Sequence, residues 1–401
     1  MEKELKAVGI IAEYNPFHNG HKYHLEQSLA VSGADVCVSV ISGNFTQRGE
    51  MAMLDKWTRA EMAVRNGVNL VVEMPAVFAC SNAGYFAEAG VEILEALDVD
   101  YIAFGSESGN GEELIKIARE IQKNQEALEE SVKASVRYGL SYPKARSEAI
   151  GALLGKEAAK IIESPNNILA VEYMRNMNKA KPLVIKRLGA GYHDTQERDG
   201  LASATAVRKL LMERRDISRL VPHITREILE KSKDSFAENE MLTPLMIQRV
   251  LTSSAEELNA VFGCEEGLGN IMKARVRFWK NYEDIISDLK SKRYTRTRVA
   301  RILLHTLLEI KREDMLSASN YVRVLAFDEN GSSYLKQVKK SGNCSLPLIT
   351  NINRDAPAFP KIAATLKKDI LASDIYNLAC GRDLYMNSEY VKKPSPVKTY
   401  P

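Results

Sequence analysis

The stretch AVGIIAEYNPFHNGHKYHLEQSLAV, residues 7–31, decides the fold of this chain. Residues 7–12 are an unbroken apolar run, as expected for a strand that is covered on both faces. A loop through residues 15–17 follows, and a helical pattern begins near His21. A buried strand that leads through a short loop into a helix is typical of the first half of a βαβ unit.

Alternating apolar runs and helical patterns continue to about residue 210. The further predicted strands are 35–41, 69–73, 101–104 and 182–188, and the predicted helices are 56–66, 82–97, 112–136, 166–174 and 203–214. Strands that are apolar throughout and alternate with helices indicate a parallel sheet with right-handed crossovers. We therefore predict a Rossmann-like, parallel-sheet α/β domain over residues 1–210.

The sequence beyond residue 210 is mainly helical. Helices are predicted at 243–251, 268–289 and 296–310. The mixed region 321–350 contains Glu329-Asn330-Gly331, which is a turn signal. We predict a second, mainly helical domain over residues 211–401.

Composition and charge set the broad class. Of 401 residues, 45% are hydrophobic and 27% charged, with a net charge of +3, which is typical of a globular protein and permits an anionic partner without requiring one. The five cysteines lie far apart, so neither a zinc-ribbon spacing nor a disulfide framework is indicated. The first apolar run is too short for a signal peptide or a membrane span. We expect a cytoplasmic protein that does not contact a membrane.

Two histidines and a glycine, His18, Gly20 and His21, directly follow the first strand. In an open parallel sheet, ligands bind at the carboxyl ends of strands, where helix N-termini present unpaired N–H groups that suit phosphate. Gly20 lets the backbone approach a ligand, and histidines three residues apart can face it together. We predict that His18 and His21 are catalytic and stabilise charge on a phosphorus atom under attack. The alternative is that they only cap a helix.

His-x-Gly-His after a first strand is similar to the signature of the nucleotidyltransferase superfamily related to class I aminoacyl-tRNA synthetases. This resemblance implies attack on the α-phosphate of ATP and release of pyrophosphate. The superfamily has a second signature, Ser-x-Thr-x-x-Arg before a helix, which residues 203–208 match. Ser203, as the N-cap, Thr205 and Arg208 are therefore predicted to hold the leaving phosphates.

A longer set of motifs resembles the bacterial tRNA(Met) cytidine acetate ligase family. The matching stretches are 13–21, 42–50, Lys56-Trp57, 104–107 and 165–169. The resemblance implies that ATP and acetate form acetyl-adenylate, and that N4 of the wobble cytidine in elongator tRNA(Met) is then acetylated to N4-acetylcytidine. ATP, acetate and tRNA are thus the expected partners. We predict no metal bound by the protein itself, and Mg²⁺ only as a companion of ATP.

The predicted ATP site gathers residues at strand ends and helix starts along one edge of the sheet. Its members are Ile11, Ala12, Glu13, Tyr14, Asn15, Pro16, Phe17, His18, Asn19, Gly20, His21, His24, Gly105, Asn166, Asn167, Lys186, Arg187, Ser203, Thr205 and Arg208. One of the adjacent pair Asn166 and Asn167 is expected to cap its helix and the other to reach the ligand. The sequence does not decide which of the two asparagines caps the helix and which reaches the ligand.

Basic residues, some beside aromatic ones, predict a tRNA-binding surface. The predicted tRNA-binding residues are Arg48, Lys56, Arg275, Arg277, Lys292, Arg293, Arg296 and Arg298. Such clusters bind the phosphate backbone, and aromatic side chains near them can stack on unpaired bases. Gln47 and Arg59 lie in the same segment as Arg48, and the sequence does not decide whether they meet acetate, phosphate or tRNA. Solvated helix faces are the alternative for each cluster.

Two other functions remain possible at this stage. One is a small-molecule adenylyltransferase of the same superfamily, which would need no large basic helical domain. The other is a non-catalytic RNA-binding protein with a nucleotide fold. A class I aminoacyl-tRNA synthetase is disfavoured, because the sequence lacks a Lys-Met-Ser-Lys-Ser loop.

Overall fold

The computed structural model describes residues 4–140, 142–188 and 200–398. Its strands are β1 Ala7–Ala12, β2 Val36–Ser42, β3 Leu70–Met74, β4 Tyr101–Ser106, β5 Lys181–Lys186, β6 Val322–Phe327, β7 Leu348–Ile349 and β8 Ser395–Pro396. They form one sheet in the order β5-β4-β1-β2-β3-β6-β7, and β8 pairs with β6. The strands from β1 to β5 are parallel to one another, which confirms the predicted α/β class.

Helices cover both faces of the sheet and make up most of the chain after β5. They are α1 Asn19–Ser32, α2 Lys56–Arg65, α3 Ala76–Ala79, α4 Ala83–Ala96, α5 Gly111–Lys123, α6 Gln125–Arg137, α7 Tyr142–Leu154, α8 Lys156–Ile161, α9 Pro165–Asn176, α10 Ala204–Met212, α11 His223–Ser232, α12 Thr243–Thr252, α13 Ala255–Asn259, α14 Leu268–Arg275, α15 Tyr282–Leu289, α16 Arg296–Leu307, α17 Arg312–Ser317, α18 Glu329–Ser341, α19 Ile352–Asp355 and α20 Ala363–Ala379. None of the helices in the described ranges is long and apolar enough to cross a membrane.

The central strand β2 explains why the strands read as unbroken apolar runs. All seven of its residues are buried. Val36, Val38 and Val40 enter one apolar cluster together with residues of α4. Cys37 and Ile41 point the other way, into a second cluster that includes residues of α2. A strand packed on both faces has no polar side to show in the sequence.

The chain reverses its direction of sheet growth between β1 and β4. From β1 the sheet first extends through β2 to β3, and the chain then returns to place β4 and β5 on the other side of β1. A ligand crevice is expected outside the carboxyl ends of the strands at such a switch point. The N-terminus of α1 lies there, because α1 directly follows β1.

The sheet also takes a strand from far along the chain. β6 runs antiparallel to β3, with Leu70 opposite Phe327 and Glu73 opposite Arg323. The predicted turn at 329–331 is instead the first turn of α18, where the N-cap residue Asp328 accepts a hydrogen bond from an N–H of that turn. The sheet therefore draws on both sides of residue 210, and the predicted domain division at that residue stays a prediction.

Candidate active site

A cavity of about 270 Å³ lies at the switch point. Its walls come from the ends of β1, β4 and β5, the first turns of α1 and α10, one turn of α9, and the segment after β2. The predicted residues in its lining are Ile11, Ala12, Glu13, Tyr14, Asn15, His18, Gly20, His21, His24, Gly105, Asn166, Lys186, Arg187, Ser203, Thr205, Arg208 and, from the tRNA-binding set, Arg48. The structure thus brings together most of the residues predicted to bind ATP.

His18 and His21 form a stacked pair at the start of α1. Their ring centroids are 3.8 Å apart and the ring planes differ by 29°. His18 is the N-cap, and its Nδ1 accepts a hydrogen bond from the Gly20 N–H at 3.0 Å. The His21 Nδ1 in turn accepts from the His18 N–H at 3.3 Å. Because Nδ1 of His18 is an acceptor, the neutral His18 ring carries its proton on Nε2.

Both rings are neutral at physiological pH. Burial, followed by the positive charges of Arg187 and Arg208, lowers the pKa of His18 to about 3. Burial, and after it the neighbouring His18, lower the pKa of His21 well below its ordinary range. The pair therefore consists of neutral imidazoles rather than imidazolium ions, and His18 carries its N–H on Nε2.

Two arginines bring positive charge to the cavity. Arg208 Nη1 donates to the Asn15 carbonyl at 2.8 Å, which ties the second motif to the loop after β1. Arg187 packs its aliphatic part over Gly105, where a Cβ would lie 3.1 Å from Cγ of the arginine. Cations at these positions, together with the N-termini of α1 and α10, suit a polyphosphate.

His24 and the start of α10 complete this side of the cavity. Burial, followed by Arg187, lowers the pKa of His24 to about 4. Its ring lines the cavity, and its Nε2 is buried. Ser203 is the N-cap of α10 as predicted, and its hydroxyl accepts from the Ala206 N–H at 3.2 Å.

The adjacent asparagines separate into two roles. Asn166 lines the cavity, and its amide donates to Glu107. Asn167 is buried, accepts from the Ser106 hydroxyl at 2.7 Å, and donates to the Ile161 carbonyl at 2.9 Å. Neither side chain caps α9, whose N-cap is Ser164. The expectation that one of them caps the helix is therefore wrong, and only Asn166 is in position to reach a ligand.

Three further predicted residues support the cavity from behind. Pro16 and Phe17 are buried, and Phe17 packs 5.6 Å, centroid to centroid, from the ring of His21. The Asn19 amide donates to the Gly200 and Arg219 carbonyls at 3.1 and 2.8 Å. The sequence motif therefore mixes residues that line the cavity with residues that hold its shape.

Several lining residues were not predicted to bind ATP or tRNA, although some of them lie inside the motif stretches. They are Ile10, Tyr23, Thr46, Glu50, Phe86, Phe104, Leu169, Tyr173, Ile185, Leu188 and Ala204, and Gln47, left unassigned by the sequence, joins them. Most of these side chains are apolar and lie on strands or helices, where the sequence predicts ordinary core positions. The motif stretches could have pointed to Thr46, Glu50, Phe104, Leu169 and Ala204, and the position of Tyr23 between His21 and His24 could have pointed to Tyr23.

Lys56, predicted to bind tRNA, requires a correction. Its side chain is fully buried, and Nζ lies 2.7 Å from Glu73 and 2.8 Å from Glu389. A buried ammonium ion held between two carboxylates cannot reach an RNA backbone. Arg59 is buried as well and donates to backbone carbonyls that include those of Glu13 and Ser42. The Arg59 side chain therefore fixes the loops after β1 and β2, and the Lys56 side chain ties α2 to β3 and to the C-terminal segment.

Six of the other predicted tRNA-binding residues lie at the surface, and Arg48 lines the cavity. Arg277, Lys292, Arg275 and Arg296 are exposed, and Arg293 and Arg298 are partly so. Four of these arginines pair with carboxylates: Arg275 with Asp288, Arg293 with Glu266, Arg296 with Glu283 and Arg298 with Glu265. In the described parts of the chain, no group of three or more His, Cys, Asp or Glu side chains has the arrangement of a metal site.

A Rossmann-like sheet with a His-x-Gly-His turn at its switch point defines a nucleotidyl transferase. A family model described as HIGH Nucleotidyl Transferase matches residues 5–389. The chain is also 39% identical, over 94% of its length and 96% of the other protein, to the tRNA(Met) cytidine acetate ligase of Caldanaerobacter subterraneus. The ligase of that name from Listeria welshimeri is 36% identical over 96% of this chain and 97% of its own.

Two solved structures point to the same family as these relatives. The apo crystal structure of Thermotoga maritima TmcAL superposes with a TM-score of 0.90 at 30% identity, covering 98% of this chain and 100% of the other. The same protein bound with alpha-thio ATP gives 0.88 at 29% identity and equal coverage. The chain therefore belongs to the HIGH nucleotidyl transferase family and, within it, to the tRNA(Met) cytidine acetate ligase family. The resemblance drawn from the motifs is confirmed.

Proposed function

We propose that this protein uses ATP to activate acetate and transfers the acetyl group to N4 of the wobble cytidine of elongator tRNA(Met). The observation that carries the proposal is the cavity at the β1/β4 switch point, which combines the neutral His18 and His21 pair with Arg187 and Arg208. Curated relatives that match nearly the whole chain are ligases of this name. ATP, acetate and tRNA meet in the cytoplasm, which is the proposed compartment.

In the first step, an acetate oxygen attacks the α-phosphorus of ATP and pyrophosphate leaves. The His18 Nε2–H and the His21 ring stabilise the charge on the phosphorus centre as neutral donors, which need no change of protonation during the reaction. Ser203, Thr205 and Arg208 hold the departing β- and γ-phosphates at the N-terminus of α10. Mg²⁺ is expected on the triphosphate oxygens.

In the second step, the exocyclic amine of cytidine attacks the acetyl carbonyl of acetyl-adenylate. The bond between the acyl carbon and the bridging oxygen breaks, and AMP leaves. Because both reactants are held in one cavity, positioning supplies a large part of the acceleration.

The helices after residue 211 are proposed to dock the tRNA. Surface ion pairs contribute only about 0–1 kcal/mol each. Arg275, Arg293, Arg296 and Arg298 can therefore exchange their carboxylate partners for RNA phosphates at small cost. Binding should weaken steeply with salt, since each phosphate contact releases counterions.

One assay tests the whole proposal. The protein is incubated with ATP, isotope-labelled acetate and total tRNA, and the digested nucleosides are analysed by mass spectrometry. We expect the label in N4-acetylcytidine, and only when ATP, acetate and tRNA are all present. Label in no nucleoside, or in a nucleoside other than cytidine, would contradict the proposal.

A further inference from the structure

Glu13 lies at the carboxyl end of β1, where the sheet order reverses. Its side chain lines the cavity and is partly exposed there. Oε1 accepts a hydrogen bond from the Gln47 N–H at 2.9 Å, and the Glu13 carbonyl accepts from the buried Arg59. Both the backbone and the carboxylate are therefore fixed, while Oε2 has no hydrogen-bond partner among the described residues.

An acidic side chain is out of place in a cavity that suits a polyanion. Among the described residues of the lining, only Glu13 and Glu50 are acidic, against Arg48, Lys186, Arg187 and Arg208. Glu50 interacts electrostatically with Arg296, outside the cavity. A carboxylate held near a triphosphate raises the energy of the bound state by repulsion. Glu13 is therefore better suited to a ligand group that donates hydrogen bonds.

The elements divide the cavity into two sides. On one side of β1, the ends of β4 and β5 and the start of α9 supply Gly105, Lys186, Arg187 and Asn166. On the other side lies the segment after β2, residues 46–50. The N-terminus of α1, which suits phosphate, lies at the end of β1 between the two sides. Glu13 borders the side that is poorer in cations.

The segment 46–50 links this side to the helices proposed for tRNA docking. It packs on α16, where a Cβ at Gly49 would lie 2.6 Å from the carbonyl carbon of Ala300. Arg301 of α16 donates to the Gln47 carbonyl at 3.5 Å. Gln47 is the residue whose N–H holds Glu13. A base that reaches the cavity from α16 therefore meets Glu13 on its way.

We propose that the Glu13 carboxylate accepts a hydrogen bond from the N4 amino group of the target cytosine, selects cytosine by this bond, and receives the N4 proton during acetyl transfer. This inference rests on the proposed function. Cytosine presents an N4 donor, which a carboxylate accepts, whereas uracil presents an O4 acceptor, which a carboxylate repels. In the transfer step the N4–C bond forms, the acyl carbon–oxygen bond breaks, AMP keeps that electron pair, and the displaced N4 proton passes to Glu13.

The substitution Glu13→Gln separates this role from folding. The glutamine oxygen can still accept from the Gln47 N–H, but its NH₂ group opposes the N4 donor of cytosine. Acetate-dependent exchange of labelled pyrophosphate into ATP reports activation alone, and single-turnover formation of N4-acetylcytidine reports transfer. We expect exchange within about threefold of the unmodified protein and transfer lowered by about 100-fold or more.

Base selection supplies the second readout. Two tRNA(Met) transcripts, with cytidine or uridine at the wobble position, compete for the enzyme loaded with acetyl-adenylate. We expect the unmodified protein to bind the cytidine transcript roughly tenfold or more tighter than the uridine transcript. Glu13→Gln should bind the two transcripts equally well. A merely structural residue would weaken both transcripts equally.

The control is Glu26→Gln, the same substitution at an exposed residue of α1 that pairs with Lys22 at 3.9 Å. Both exchange and transfer in this variant should match those of the unmodified protein.

Equal losses of exchange and transfer in Glu13→Gln, or a raised KM for ATP or acetate, would place Glu13 in the activation site and overturn the inference. Unchanged transfer would also overturn it. An unmodified protein that shows neither exchange nor acetylation would instead refute the proposed function.

Discussion

His18 has two roles that a single substitution can separate. Its Nδ1 caps α1 through the Gly20 N–H, and its Nε2–H is the proposed catalytic donor. Asparagine is a good N-cap but has no group in the position of Nε2. We expect His18→Asn to keep the fold and to lower acetate-dependent pyrophosphate exchange by about 100- to 1,000-fold, the usual cost of losing one such donor. The exchange rate and the melting temperature are the measurements.

The matched control is His223→Asn, at a histidine whose side chain is 69% exposed on α11. It should leave exchange unchanged. Exchange in His18→Asn that stays close to the unmodified rate would show that His18 is only a cap.

The sequence predicted residues of local motifs well and residues of long-range networks poorly. His18, Gly20 and His21 stand together in the chain, so their meeting at one site follows from a single turn. Lys56 is different, because its partners Glu73 and Glu389 are 17 and 333 positions away in the sequence. Nothing near Lys56 in the sequence signals that both carboxylates will surround it.

At the level of elements, the contact between the segment 46–50 and α16 depends on Gly49. Its φ is +76°, and a Cβ would lie 2.6 Å from the backbone of Ala300. We expect Gly49→Ala to lower the free energy of unfolding by roughly 2 kcal/mol or more, because the helix backbone cannot move aside cheaply. Acetyl transfer should fall with it, since Gln47 would shift away from Glu13. Urea unfolding and the transfer assay measure the two effects.

Gly33→Ala is the matched control for this contact. Gly33 also has a positive φ, +60°, but a Cβ there meets no atom within 4 Å. Its substitution should cost only about 1–2 kcal/mol of backbone strain and leave transfer unchanged. Equal losses of unfolding free energy in the two variants would mean that backbone strain, not the contact with α16, accounts for the loss of stability in Gly49→Ala.

Element boundaries followed from the sequence where a stop signal exists. The strands of the parallel sheet match their predictions to within a few residues. The continuous helical pattern at 112–136 is in fact α5 and α6, separated at Asn124, and the pattern at 268–289 is α14 and α15 with a break between them. Neither break contains a proline, so periodicity alone could not reveal it.

At the scale of the molecule, His305 joins the helical part of the chain to the sheet part. Its Nε2 lies 2.9 Å from the Cys80 carbonyl and its Nδ1 3.1 Å from that of Phe262. Burial lowers the pKa of His305 to about 4. Below pH 6.5 the unfolded chain takes up a proton at this histidine that the folded chain does not, so stability falls as the pH falls. From His305 alone, the free energy of unfolding should fall by about 1 kcal/mol per pH unit between pH 6 and 4.5.

Comparison with His305→Asn isolates this contribution. The free energy of unfolding, measured in urea from pH 7 to pH 4.5, should fall less steeply in the variant. The comparison is needed because burial, followed by the charge of Glu73, raises the pKa of Asp369 to about 8, and this group acts in the opposite direction. Parallel curves for the two proteins would contradict the assignment.

The sheet as a whole was only partly predictable. Its five parallel strands follow from alternation along the first half of the sequence, whereas β6 reaches β3 across about 250 residues. Residues 321–350 were recognised as mixed, but their partner could not be inferred. An antiparallel addition to a parallel sheet depends on which edge the fold leaves open, and that edge exists only in three dimensions.

The pairing of β3 with β6, and of Lys56 with Glu389, has a consequence for synthesis on the ribosome. While the chain is being translated, β3 stays an open sheet edge until residue 327 emerges, and Lys56 lacks one of its carboxylates until residue 389 does. Open edges invite pairing with other chains. A nascent chain that already contains the histidines of the active site therefore still has an unpaired sheet edge, and prematurely terminated products should aggregate rather than work as smaller enzymes.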